Sequence, residues 1–118
     1  MKQRVTVLGS TGSVGANTLD VMARHPGQFE VFALSAATRV EELLAQCLQF
    51  RPRFAVMASA AHGRELGQRL RDAGSPTRVL DQADALQVIA SHDEVDAVMA
   101  AIVGAAGLGP CQIGRAHV

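Results

Sequence analysis

The sequence is poor in aromatic residues and has no excess of either charge, and each shortage excludes a class of function. It contains four Phe, no Trp and no Tyr, so it lacks the stacking platforms of single-strand nucleic-acid binders. Eleven Lys and Arg balance eleven Asp and Glu, so no bulk charge would attract nucleic acid or a membrane surface. No apolar run approaches a membrane span or a signal-peptide core. We therefore expect a cytoplasmic protein that binds neither nucleic acid nor membrane.

Cysteine and histidine are too few and too scattered to form a metal site or a disulfide framework. The two cysteines, Cys47 and Cys111, and the four histidines show no ligand spacing. Cys47 falls on the apolar stripe of a predicted helix and is expected in the core. We therefore expect no metal site in this chain and no catalytic acid, base or nucleophile.

What the sequence does have is a regular alternation of apolar segments and helical patterns over its 118 residues. The pattern predicts strands at Arg4–Gly9, Phe29–Ala36, Arg53–Met57, Thr77–Leu80 and Asp96–Val103. It predicts helices over Val14–His25, from a capping box at Thr38 and Glu41, from a Ser59 cap to Ala73, and from an Asp81 cap to Ser91. A loop follows at Gly104–Gly107. Five strands joined by four helices predict an α/β, Rossmann-like doubly wound parallel sheet with right-handed crossovers.

A glycine-rich loop, Gly9-Ser-Thr-Gly-Ser-Val-Gly15, joins the first strand to the first helix. Gly9 permits a tight turn, Gly12 lets the backbone approach a pyrophosphate, and Gly15 allows close packing of the helix. The free N–H groups and the dipole of the helix N-terminus would then face the phosphates, with hydroxyl donors from Thr11 and Ser13. A turn that binds nothing remains an alternative, but the position at the first β–α junction favours a dinucleotide site.

The end of the second strand indicates which dinucleotide would bind. NAD sites usually place an acid about 20 residues beyond the glycines, where it holds the ribose 2′-hydroxyl. Here Ala37, Thr38 and Arg39 follow the strand, and no acid occurs until Glu41. A hydroxyl and a guanidinium suit the 2′-phosphate of NADP, which a carboxylate would repel. Alternatively, Thr38 only caps its helix and Arg39 is only a solvated residue.

Three segments together resemble one enzyme family, the 1-deoxy-D-xylulose 5-phosphate reductoisomerases, from Met1 to about Cys111. They are the loop Val7–Gly15 with Thr18–Val21, the strand Phe54–Met57, and the segment Val98–Leu108. The resemblance implies an NADPH-dependent oxidoreductase that rearranges and reduces 1-deoxy-D-xylulose 5-phosphate to 2-C-methyl-D-erythritol 4-phosphate in isoprenoid biosynthesis. It also implies Mg²⁺ or Mn²⁺ as a second cofactor and a homodimer for the full-length enzyme.

The resemblance further implies which residues touch NADPH. One set lies in the glycine loop and a second set follows the second strand: Thr11, Gly12, Ser13 and Val14, then Ala37, Thr38 and Arg39. Ala-Thr-Arg stands where Gly-Lys-Asn is frequent in the family, so the side chain that meets the 2′-phosphate is left open. The family's metal, substrate and flap residues lie further along than this chain extends.

These expectations divide the chain into an incomplete NADPH-binding domain over residues 1–111 and a non-native tail over residues 112–118. The tail is suspected because Ile113–Val118 resembles the translation of a sequencing adapter. Without a catalytic domain, the chain alone is expected to be inactive. Two alternatives remain: a stand-alone NADP-binding redox sensor, and the N-terminal domain of a dehydrogenase of the aspartate-semialdehyde type.

Overall fold

The computed structural model describes residues 2–100 and 111–114, the latter only as a strand. Strands and helices alternate as predicted, in the order β1 (Gln3–Leu8), α1 (Ser13–Ala23), β2 (Phe29–Ala36), α2 (Val40–Phe50), β3 (Phe54–Met57), α3 (Ala60–Asp72), β4 (Arg78–Leu80), α4 (Ala85–Ser91), β5 (Ala97–Ala100) and β6 (Cys111–Gly114). The predicted loop at Gly104–Gly107 and the rest of the fifth strand lie outside the described residues.

The strands form one sheet in the order β4-β3-β2-β1-β5-β6. The pairings of β1 with β2 and β5, of β2 with β3 and of β3 with β4 are all parallel, which confirms the predicted α/β sheet. The sixth strand was not predicted, and it pairs antiparallel with β5. It overlaps residues 112–118, whose assignment as a non-native tail remains a prediction.

Helices cover both faces of the sheet, as a doubly wound fold requires. On one face, α1, α2 and α3 bury their apolar stripes against β1, β2 and β3, with Leu19, Leu43 and Leu66 at 2% exposure or less. On the other face, α4 packs Ala85 and Ile89 against neighbouring strands. The chain therefore winds outward from β1 to β4 on one face and returns beside β1 through α4 on the other.

Two helix starts differ from the sequence prediction. Helix α2 begins one residue too late for the predicted capping box, because Arg39 is its N-cap and no side chain caps it. With Arg39 in that place, Glu41 is the second helical residue, one short of where a capping box needs it. Helix α4 begins at Ala85, not near Asp81. The Ser59 cap is confirmed, since its hydroxyl accepts a bond from the Ala61 amide at 3.2 Å.

The strand order reverses at the first strand. Strand β1 lies between β2 and β5, so the chain first runs outward from β1 to β4 and then crosses back to β5 on the other side of β1. Open α/β sheets bind ligands at such a switch point, outside the carboxyl ends of the strands. The glycine loop and residues 37–39 follow the carboxyl ends of the adjacent strands β1 and β2. The fold thus brings the two predicted sets of binding residues side by side.

Candidate functional site

The glycine loop turns sharply at Gly9 and is bonded to the end of β2. Gly9 has a φ of 76°, in the left-handed region that glycine adopts without strain. The amides of Gly9 and Ser10 both donate to the carbonyl oxygen of Ser35, at 3.0 and 2.9 Å. The Ser35 hydroxyl accepts a further bond from the Gly9 amide at 3.1 Å. The prediction that Gly9 makes a tight turn is confirmed.

Gly15 and Gly12 have different surroundings although both are small residues of the same loop. A Cβ on Gly15 would lie 2.7 Å from the Ser10 Cα and closer still to the Gly9 carbonyl oxygen. This confirms that Gly15 lets α1 pack tightly, here against the turn itself. Among the described residues, a Cβ on Gly12 would meet only the Gly9 carbonyl oxygen, at an ordinary 3.6 Å. The protein's own packing therefore does not require glycine at position 12, which leaves room for a ligand there.

The start of α1 presents backbone donors to solvent. Gly12 is its N-cap, no side-chain oxygen caps the helix, and its first turn has no acidic residue. Within the described ranges, no acceptor bonds the amides of Thr11, Ser13 and Val14, whereas Gly12 donates to the Gly9 carbonyl at 3.3 Å. Gly12 and Ser13 are exposed, and Thr11 and Val14 are partly exposed. Amides so oriented, at the positive end of a helix dipole, form an anion-binding surface.

The second predicted set lies next to this surface. Ala36 at the end of β2 is buried, and the three residues after it are exposed. The Arg39 guanidinium pairs with the Glu42 carboxylate at 3.1 Å, and both side chains are more than half exposed. An exposed pair of this kind contributes little, roughly 0.3–0.5 kcal/mol, so a phosphate could replace Glu42 as the partner of Arg39. Thr38 makes no capping bond and its hydroxyl is accessible.

Three residues that the sequence did not single out hold the turn in place through hydrogen bonds: Ser10, Ser35 and Gln46. Ser10 is fully buried and Ser35 is nearly so. The side-chain amide of Gln46, on α2, bonds both to the Ser10 hydroxyl at 2.7 Å and to the Ser10 carbonyl oxygen at 2.9 Å. One sequence signal could have pointed to Gln46, since it is a polar residue directly beside the apolar stripe of α2.

The cysteine expected in the core lies there. Cys47 is fully buried on α2, and burial raises the pKa of its thiol from 9.0 to about 12. A thiol with so high a pKa is not a nucleophile near neutral pH. Over residues 2–100, no group of three or more His, Cys, Asp or Glu side chains is arranged to hold a metal ion. No helix in the described ranges is long and apolar enough to cross a membrane.

A cavity at the opposite end of the sheet is a competing location. It has a volume of about 460 Å³ and is lined by charged residues that include Arg4, Arg53 and Glu94. Arg4 and Arg53 both form ion pairs with Glu94. This cavity lies at the amino ends of the strands, away from the turn and the α1 N-terminus. We favour the carboxyl end as the functional site, because open parallel sheets bind ligands outside the carboxyl ends of their strands.

Comparison with known proteins decides which family the chain belongs to. The family model for 1-deoxy-D-xylulose 5-phosphate reductoisomerase matches residues 5–114. The chain belongs to this family. The reductoisomerase of Aromatoleum aromaticum is 60% identical over 108 residues, and that of a Pseudomonas fluorescens strain is 58% identical over 108 residues. Each match covers 92% of this chain but 27% of the relative, so the chain spans about a quarter of the length of these reductoisomerases.

Solved reductoisomerase structures share the fold. A DOX-P reductoisomerase in complex with NADPH, fosmidomycin and magnesium superimposes with a TM-score of 0.82 at 42% identity, covering 90% of this chain and 26% of that one. The Zymomonas mobilis reductoisomerase in complex with NADPH gives a TM-score of 0.80 at 37% identity, covering 91% of this chain and 27% of that one. The chain therefore has the fold of one part of a reductoisomerase.

Proposed function

We propose that this chain is the NADPH-binding part of a 1-deoxy-D-xylulose 5-phosphate reductoisomerase. The whole enzyme rearranges and reduces 1-deoxy-D-xylulose 5-phosphate to 2-C-methyl-D-erythritol 4-phosphate. The observation that carries the proposal is the turn at the carboxyl end of β1. Its inner amides are bonded to Ser35, and among the described residues its outer amides have no acceptor and a Cβ on Gly12 would make only an ordinary contact. The relatives that match this chain include reductoisomerases solved with NADPH, which supports the same cofactor here.

In this proposal, the outer amides of the turn hold the cofactor's pyrophosphate. The amides of Thr11, Ser13 and Val14 donate to phosphate oxygens, and the hydroxyls of Thr11 and Ser13 add donors of their own. Gly12 adopts an extended conformation, with a φ of −73° and a ψ of 168°. Other residues adopt this conformation equally well, so the reason for glycine there is the close approach of the phosphate.

The ribose of the adenosine then lies over residues 37–39. Ala37 is small and exposed, so it leaves room for the sugar. The Thr38 hydroxyl and the Arg39 guanidinium bind the 2′-phosphate, and Arg39 gives up its pair with Glu42 to do so. Glu41 and Glu42 follow in the first turn of α2, so the cation comes before the acids along the chain. This order favours NADPH over NADH.

The remaining parts of the reaction are proposed for the part of the enzyme that this chain does not span. There we place the substrate-binding residues and the carboxylates that would hold Mg²⁺ or Mn²⁺, which polarises the substrate oxygens when bound. The incomplete domain over residues 1–111 supplies the hydride donor's binding site and no catalytic side chain. We therefore expect this chain to bind NADPH without turnover, and the whole enzyme to be a cytoplasmic homodimer.

Replacing Gly12 with alanine tests the proposed cofactor site. Within the protein, the added Cβ makes an ordinary contact of 3.6 Å and alanine is a poorer N-cap than glycine, so the variant should lose no more than about 1 kcal/mol of stability and remain folded. In the complex, the same Cβ would occupy the space of the pyrophosphate, and NADPH affinity should fall by about 100-fold. Isothermal titration calorimetry of the 118-residue chain measures this.

Gly27→Ala is the matched control, because a Cβ there has nothing within 4 Å and Gly27 lies beyond the other end of α1. It should bind NADPH like the parent chain. Equal NADPH affinity for Gly12→Ala and the parent would mean that the turn does not hold the cofactor. The same conclusion would follow if the parent chain did not bind NADPH.

A further inference from the structure

The side chain of Gln46 joins helix α2 to the glycine turn. Its Oε1 accepts a bond from the Ser10 hydroxyl at 2.7 Å, and its Nε2 donates to the Ser10 carbonyl oxygen at 2.9 Å. The two residues lie 36 positions apart in sequence. One side chain thus fixes both the side chain and the backbone of the residue that precedes the outward-facing amides.

Ser10 is held from two further directions. At the end of β2, the Ser35 carbonyl oxygen accepts a hydrogen bond from the Ser10 amide at 2.9 Å. Helix α1 packs against the Ser10 Cα at Gly15, too closely for any side chain at position 15. Strand β2 and helix α1 therefore restrict the position of the turn from two sides, and Gln46 restricts it from the side of α2. A peptide fixed from three elements keeps the direction of the next amide, that of Thr11.

Helix α2 also carries the other half of the proposed site. Arg39 is its N-cap, and Gln46 lies seven positions further along the same helix. At a rise of about 1.5 Å per residue, the two positions are roughly 10 Å apart along the helix axis. A helix is stiff over this length. The bond from Gln46 to Ser10 therefore connects the pyrophosphate turn to the helix that begins after Arg39.

We propose that Gln46 is a positioning residue for NADPH, acting through Ser10 on the amides that bind the pyrophosphate. This inference rests on the function proposed above. Gln46 does not touch the cofactor. It makes the loss of conformational entropy on binding smaller, because the donors are already oriented before the cofactor arrives.

The contact suits a carboxamide. Its oxygen accepts from the Ser10 hydroxyl, which also donates to the Ser35 carbonyl oxygen at 3.3 Å, and its nitrogen donates to the Ser10 carbonyl oxygen, so one side chain bonds both groups at once. Methionine has a similar length but can do neither well. An ionised glutamate could accept from the hydroxyl but would face the Ser10 carbonyl oxygen with a second acceptor. Protonation of that glutamate would restore the missing donor.

The first test compares Gln46→Met with Gln49→Met in the 118-residue chain. Gln49 is exposed on the same helix, so its replacement controls for any general effect of methionine on α2. Binding of NADP⁺ and NAD⁺ is measured at a temperature where circular dichroism shows all variants folded. Gln46→Met should lose about tenfold in affinity for both cofactors and keep the parent's ratio between them. Gln49→Met should match the parent.

The second test uses the pH dependence of Gln46→Glu, which a purely structural role would not produce. At pH 7.5 its affinity for NADP⁺ relative to the parent should be reduced at least as much as that of Gln46→Met. As the pH falls toward 4, close to the ordinary pKa of a glutamate carboxyl, the introduced side chain takes up a proton and donates to Ser10, so relative affinity should recover. Gln46→Met should show no recovery. Measuring the parent at each pH removes the effect of the cofactor's own phosphate titration.

Three different failures are distinguishable. If the parent chain binds NADP⁺ and Gln46→Met binds it equally well, the positioning role is wrong and the proposed function stands. If Gln46→Glu shows a flat profile relative to the parent, the role of the bond to the Ser10 carbonyl is wrong. If the parent chain binds neither cofactor, the proposed function fails and Gln46 has nothing to position.

Discussion

At the scale of single residues, the three glycines of the loop have three separate physical roles. Gly9 is needed for its positive φ and Gly15 for its lack of a Cβ against Ser10, and both needs are internal to the protein. Gly12 has neither need among the described residues, because its backbone is extended and a Cβ there would make only an ordinary contact with them. A glycine that the fold does not require is best explained by a ligand that approaches it closely.

Arg39 provides a prediction at the same scale. Arg39→Ala should lower NADPH affinity by about tenfold and leave NADH affinity unchanged, because only NADPH carries the 2′-phosphate. Glu42→Gln should act in the opposite direction, since it removes the carboxylate that competes for Arg39. Fluorescence titration of both cofactors measures the ratio.

The control for Arg39 is Arg24→Ala. Arg24 also forms an exposed ion pair, with Asp20 at 3.0 Å, but lies at the far end of α1 from the turn. It should change the affinity for neither cofactor. Parallel losses of NADPH and NADH affinity in Arg39→Ala would show that the guanidinium does not recognise the 2′-phosphate.

At the scale of helices and strands, the pattern of buried residues could be predicted from the sequence, whereas the first residues of the helices were harder to predict. Strand β2 has the predicted bounds, Phe29–Ala36, because its apolar centre, Val31–Leu34, is buried on both sides as in a central strand of a parallel sheet. The predicted start of α2 was wrong because Thr38 and Glu41 have the spacing of a capping box, and spacing alone does not reveal that Arg39, not Thr38, is the N-cap. Strand β6 is four residues long and carries too little pattern to be predicted.

Gly15→Ala tests how tightly α1 packs on the turn. A Cβ 2.7 Å from the Ser10 Cα forces the helix and the turn apart, so the free energy of unfolding should fall by about 2–3 kcal/mol. Gly63→Ala is the control, because it is also helical and its Cβ would meet Val79 at an ordinary 3.7 Å. That variant should gain about 0.5–1 kcal/mol from helix propensity.

Urea unfolding followed by circular dichroism measures both glycine variants. A Gly15→Ala variant as stable as Gly63→Ala would contradict the close packing of α1 against the turn. It would also remove one of the three constraints on Ser10.

At the scale of the whole molecule, the sequence predicted where the two binding segments lie but not how they are held together. The order of strands and helices was enough to place the glycine loop and residues 37–39 at one edge of a parallel sheet. The bonds among Ser10, Ser35 and Gln46 depend on tertiary contacts between three elements, and no local pattern encodes them. Predicted contacts of NADPH with Thr11–Val14 and Ala37–Arg39 remain predictions until a ligand is observed.

The most direct test of the whole account is the location of bound NADPH, measured by amide chemical-shift changes in a titration of the ¹⁵N-labelled chain. We expect the largest changes at Thr11, Ser13 and Val14 and at residues 37–39, with smaller changes at Gln46. The strands' amino ends, at Arg4, Arg53 and Glu94, should be unaffected. Changes centred on that charged cavity, with none in the glycine turn, would contradict the account.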